Sequence, residues 1–114
     1  MSIANKTFQP ILTITIKTTT ELPSYRFVDF LGKTCDENQK ALGVTVGKWK
    51  SGGYAGIIVL GTALVEASGT ISVGDKVTSD SQGKAKVATT GAEVNGRALG
   101  SAGPGDLVRI LLVP

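Results

Sequence analysis

Hydrophobic and polar positions alternate most cleanly over residues 11–17, ILTITIK. Leu12, Ile14 and Ile16 fall on one face and Thr13, Thr15 and Lys17 on the other, the period of a half-buried strand. Thr18 to Thr20 can prolong it, and Leu22-Pro23-Ser24 ends it, because proline has no amide proton to give a ladder. Residues 25–31, YRFVDFL, predict a second strand. Residues 41–46 predict a third, with Gly43 as the site of a bulge. A glycine-rich loop follows at 47–56. Residues 57–60 are continuously apolar, which predicts a short strand buried on both faces, and Gly61 is expected to turn the chain into Ala63-Leu64-Val65.

The clearest hairpin lies at 76–87. A β-rich KVTS run enters an Asp80-Ser81-Gln82-Gly83 turn, where Asp80 can bond its own backbone and Gly83 accepts a positive φ. The return run KAKV alternates, placing Ala85 and Val87 on one face and both lysines on the other. Gly69, Gly74 and Asp75 mark another turn around Ile71 and Val73. A strand at Arg97-Ala98-Leu99, a loop at 100–105 and a terminal strand over 107–113, LVRILLV, complete the chain. No stretch predicts a helix. Lys40-Ala41-Leu42-Gly43 matches Arg97-Ala98-Leu99-Gly100, and each precedes a glycine-rich loop and an apolar strand, which suggests a duplicated β unit.

The expected fold is therefore all-β: a small β-barrel or β-sandwich of short antiparallel strands. Leu12, Ile14, Ile16, Val77, Val87 and Ile110 are expected in its core. Residues 1–10 read as an extended N-terminal arm, polar apart from Phe8 and stopped by Pro10, expected to be loose in the free protein. Residues 11–114 read as a single β domain, since 114 residues suffice for one domain and not for two. With 41% hydrophobic and 18% charged residues the chain is globular rather than disordered. A net charge of +3 requires neither nucleic acid nor membrane as a partner. The single cysteine, Cys35, excludes an intrachain disulfide. The start, MSIANKTFQP, lacks signal-peptide features, and no apolar run reaches the length of a membrane span.

Candidate chemistry is sparse. Histidine is absent, which removes the commonest general base and metal ligand. Cys35 has no base to activate it. Asp75 with Asp80, and Asp36 with Glu37, read as turn acids that bond backbone rather than as catalytic pairs. The glycines at 52–56 precede a β run instead of opening a helix, the wrong order for a phosphate loop. No enzyme, cofactor or metal is expected. Lys48-Trp49-Lys50 places the one tryptophan between two cations. Such a residue can cap the end of the domain, anchor a protein interface or stack on nucleic-acid bases.

Several segments together resemble the tailed-phage capsid cement, or head decoration, proteins. They are Arg26-Phe27-Val28, Lys40-Ala41-Leu42-Gly43-Val44, residues 61–84 and residues 94–112. In that family a Gly-Asp-x-Val-x-Ser-Asp-x-x-Gly-Lys hairpin precedes a Gly-Arg-Ala-Leu strand and a Gly-Asp-x-Val-Arg-Ile/Val-Leu terminus. Residues 74–84, 96–99 and 105–111 carry these in order. The resemblance implies a non-enzymatic structural virion protein that binds the outer surface of a phage head and cements it. Its partner would be the major capsid protein, with no nucleic acid or membrane. It implies a homo-oligomer, a trimer or a dimer, made in the host bacterial cytoplasm and located on the capsid exterior. Phe8, Gln9, Trp49, Lys50 and Tyr54 are the expected capsid or subunit contacts. Two other readings stay open from residues 69–77 and from the β composition: a translation-factor-like barrel, and a carbohydrate-binding module.

Overall fold

The computed structural model describes residues 7–114. Its strands are β1 (Pro10–Lys17), β2 (Phe27–Val28), β3 (Gly43–Thr45), β4 (Tyr54–Glu66), β5 (Lys76–Ser79), β6 (Ala85–Val87), β7 (Gly96–Ala98) and β8 (Leu107–Leu112). There is no helix among the described residues. Seven strands run antiparallel in the order β2-β3-β4-β8-β7-β5-β6, and β1 pairs with β4 beside that path. The path almost closes on itself, so the fold is a barrel rather than a sandwich. Phe27 N–H donates to the Gly83 carbonyl at 2.8 Å, and Glu66 N–H donates to the Tyr25 carbonyl at 3.0 Å. The Glu66 carboxylate ties the same seam, reaching Arg26 at 3.2 Å and Lys84 at 3.4 Å.

The expected duplication is present, and it is more complete than the sequence match suggested. In the first unit Leu22 and Trp49 exchange both backbone hydrogen bonds at 2.9 Å; in the second Ile71 and Ala102 do so at 2.9 and 3.0 Å. Lys17 pairs with Tyr54 as Glu66 pairs with Leu107. Gly43 sits opposite Val28 as Gly96 sits opposite Val77. The equivalent of Gly43 is therefore Gly96, not the Gly100 of the sequence match. Both glycines lie where a Cβ would run into a backbone carbonyl of the next long strand, Ile58 O for Gly43 and Leu111 O for Gly96. Close approach, not a bulge, is why Gly43 is glycine.

One strand belongs to both units. The first half of β4 closes unit one against β1 and β3, and its second half opens unit two against β8. Gly61 does not turn the chain, as its sequence context suggested. It lies within the strand at φ +100°, where a Cβ would strike the Gln9 carbonyl. Only glycine lets the chain of residues 9–11 pass that close.

The core follows the barrel. Val77 and Ile110 are fully buried, as expected, alongside Phe27, Val44, Val65, Leu107 and Val108. The expectation fails for Leu12, which is 45% exposed, for Val87 and for the half-buried Ile14 and Ile16. The reason is position. β1 lies outside the barrel path and has a partner along one edge only, so its apolar face is covered in part, and Val87 is the last residue of β6, the end strand of the path, which pairs with β5 alone. The strand expected over residues 25–31 shrinks to β2, because Asp29 turns the chain directly afterwards. Its carboxylate Oδ1 accepts from Leu31 N–H at 2.9 Å and Lys33 N–H at 3.1 Å. Residues 1–6 of the expected arm lie outside the described residues. Of the remainder, Phe8 is half-buried against the main core, and Gln9 is bonded to Thr62 through both its N–H and its carbonyl.

Candidate functional site

One end of the barrel gathers a loop, a turn and the start of β4 around Thr18, a buried threonine that follows β1 directly. Thr18 N–H donates to the Gly53 carbonyl at 2.8 Å and its carbonyl accepts from Gly52 N–H at 3.0 Å. Its hydroxyl donates to the Lys50 carbonyl at 2.6 Å. The neighbouring Thr19 reaches the Asp29 turn instead: its N–H donates to Gly32 O at 3.0 Å and its hydroxyl to Leu31 O at 3.0 Å. The loop of residues 47–53, the turn of residues 29–33 and the start of β4 are thereby held side by side. A threonine serves here because one side chain and one peptide unit satisfy backbone groups of a facing loop.

The expected contact residues divide between two places. Trp49, Lys50 and Tyr54 stand at this end. Tyr54 is 69% exposed and pairs across β1 with Lys17. Trp49 is half-buried against Leu22, Val28, Ala55 and Ile57, so its ring caps this end of the barrel. Its indole N–H is buried without a partner among the described residues. An open recess of about 300 Å³ lies beside it, lined by Glu21, Lys48, Trp49 and Lys50. Phe8 and Gln9 stand at the other end of β1, about 25 Å away along a strand that rises about 3.3 Å per residue.

Two residues at the Thr18 end escaped the sequence reading. Phe30 and Leu31, assigned there to a strand, are 66% and 68% exposed at the tip of the Asp29 turn. The signal was available: Asp29-Phe30-Leu31-Gly32-Lys33 has the same Asp-x-x-Gly-Lys spacing as residues 80–84. Four exposed lysines, Lys17, Lys33, Lys48 and Lys50, surround the same end, and none of them forms an ion pair among the described residues.

Two further titratable groups, Cys35 and Lys40, are shifted by burial. Cys35 is buried, and that burial, with the Asp29 and Asp36 carboxylates, pushes its thiol up to about 12. It stays protonated at neutral pH and is a poor nucleophile. Lys40 donates to the Val94 and Val113 carbonyls at 2.7 and 2.6 Å, pinning the end of the chain after β8. Burial lowers its pKa, against the opposing pull of Glu93. No cluster of three or more His, Cys, Asp or Glu side chains able to hold a metal occurs among the described residues.

Residues 6–112 match the family described as phage cement protein. Among solved structures, the head fiber gp8.5 N base of bacteriophage phi29 is similar, with a TM-score of 0.74 and 23% sequence identity. That match covers 90% of this chain and 93% of the other. No curated protein matches the chain.

Proposed function

From the chain's membership of the phage cement protein family, which gives it a structural, capsid-binding role in the virion, we propose that it sits on the outer surface of the assembled head and clamps the shell against internal pressure. The family match, spanning nearly the whole barrel, carries this reading, and it sets aside the translation-factor and carbohydrate-binding alternatives. The physics of the fold supports it. The barrel is small and nearly closed, and its long central strand is hydrogen-bonded on both edges over part of its length. Such a body can transmit force between neighbours without deforming much. Many copies repeated over a lattice give a large total stabilisation from individually modest contacts.

The proposed contacts are Trp49, Lys50 and Tyr54 on the capsid side, and Phe8 with Gln9 toward a neighbouring subunit. Their separation along β1 supports two different partners rather than one. Homo-oligomerisation, most simply as a trimer, goes with a second contact of that kind, and synthesis belongs in the host bacterial cytoplasm. The test uses heads assembled without this protein. Adding it back should give saturable binding and raise the temperature at which heads release DNA. Saturable binding with no change in that temperature would remove the cementing role and leave decoration alone.

A further inference from the structure

The duplication supplies an internal control for the surface of the molecule. The turns at residues 29–33 and 80–84 share one backbone. In each, an aspartate Oδ1 accepts from the second and fourth following amides. In each its own N–H donates to the lysine carbonyl at 2.8 Å, and glycine takes a positive φ, +81° for Gly32 and +75° for Gly83. The second turn does this with Ser81 and Gln82 at its tip. Nothing in the turn geometry therefore requires Phe30 and Leu31, and neither is buried.

The rest of that end departs from its counterpart in the same direction. Where unit one has Lys17, Lys48, Trp49, Lys50 and Tyr54, the topologically equivalent positions of unit two hold Glu66, Ser101, Ala102, Gly103 and Leu107. In one copy of the duplicated end the one charged side chain among these, Glu66, is spent on ion pairs within the fold, and the large apolar one, Leu107, is buried. The other presents two apolar side chains and a tyrosine among four exposed lysines without ion-pair partners among the described residues; three of these, Lys17, Lys48 and Lys50, have no lysine counterpart in unit two, and the one acid beside them is Glu21. Exposed apolar groups of this size at the tip of a rigid turn cost solubility and gain nothing in stability.

We propose that the Phe30–Leu31 tip is the apolar anchor of capsid attachment, entering a nonpolar recess on the shell whose rim is acidic. Lys17, Lys33, Lys48 and Lys50 face that rim, and Tyr54 packs at its edge. The lysines steer the encounter and fix orientation, while the desolvated apolar pair supplies most of the hold. This rests on the capsid-binding reading above and deepens it by naming the anchor and the chemistry of its partner.

The decisive variant transplants the sister tip, Phe30→Ser with Leu31→Gln, a sequence pair this turn already tolerates in the second unit. Its co-sedimentation with undecorated heads is expected to weaken tenfold or more, with an unchanged melting temperature for the free protein. A companion variant, Lys17→Gln with Lys50→Gln, should bind with a shallower dependence on salt than wild type. If the transplanted protein folds and binds heads as tightly as wild type, the anchor is elsewhere and the proposal falls while capsid binding stands. If wild type itself fails to sediment with heads, the capsid reading and the anchor fall together. If the transplant alone melts early, the single variant Leu31→Gln decides, with full-strength binding again counting against the tip.

Discussion

Asp29 and Asp80 fix the same turn in very different surroundings. Asp29 is 1% exposed and lies near the buried thiol of Cys35; its second carboxylate oxygen meets the Gln39 side chain at 3.5 Å. Asp80 is half-buried and holds a turn whose tip faces water. On the return from the turn the contrast continues. Cys35 N–H bonds back to Phe27 inside the core, whereas Lys86, paired to Thr78 at the matching place, reaches outward to Glu37 at 3.6 Å. The two units thus share their backbone hydrogen bonds and close glycine contacts but little of their chemistry. Polar clamps and glycines set the geometry of a duplicated β unit, and everything they do not need is free to diverge.

The glycines offer the hardest test of that equivalence. Gly43→Ala would drive a methyl group into Ile58 O and Ile57 Cγ2, inside a strand pair that cannot easily move. Gly96→Ala meets Leu111 O at 2.7 Å and the more yielding Ile110 side chain at 3.2 Å. Overpacking against backbone should cost about 3 kcal/mol or more for Gly43→Ala and about 1–3 kcal/mol for Gly96→Ala, read from denaturant midpoints. Equal losses would mean that the two strand pairs yield alike.

The clamps come next. Asp29→Ala removes a buried carboxylate from two part-buried amide bonds and should destabilise by about 2–3 kcal/mol. Asp80→Ala removes a half-buried carboxylate from one exposed and one part-buried amide bond, so about 1 kcal/mol is expected. Matching values would show that burial does not separate the two turns.

The last effect is absent at neutral pH and develops only at high pH. An unfolded Cys35 thiol ionises near its ordinary value of 9.0, while the folded one holds its proton to about 12. Between those values the unfolded state gives up its proton first, so this group lowers stability as pH rises, and below them it contributes no slope. Lys40, with its pKa lowered by burial, tilts the slope the other way. Comparing wild type with Cys35→Ala isolates the thiol, and the variant should lose stability less steeply above about pH 9. At pH 8 a thiol reagent should label wild type only as it unfolds. Rapid labelling of the folded protein would contradict the burial.

What was legible in the sequence was local. The hairpin at 76–87 has all its determinants within a few residues, Asp80 and Gly83 above all, and its pairing appears as read, β5 with β6, although Val87, read as core, is exposed. The alternation of residues 11–17 fixed a strand and a face but not how far a partner would cover that face. That depends on where the other strands close the barrel. Gly61 looked like a breaker because sequence cannot tell a turn from a close passage of two chains. Phe30 and Leu31 looked like strand because apolar character outweighed the Asp-x-x-Gly spacing around them. Lys50 and Tyr54 could be singled out by type, yet their placement beside the Asp29 turn depends on Thr18 and Thr19, distant in sequence from both.

The shared strand β4 also sets the order in which the molecule can be made. Its first half is completed by segments already synthesised, β1 and β3, so unit one can begin to pair while the chain is still being extended. Its second half waits for β8, the last strand to appear, and until then one edge of the 13-residue strand is open over residues 62–66. Pairings across such long loops form slowly, on the millisecond-to-second scale common in all-β domains. For as long as that edge is open, another nascent chain can occupy it in place of β8. The continuity that joins the two units in the finished barrel is therefore also the point at which an incomplete chain is most exposed to pairing with the wrong partner.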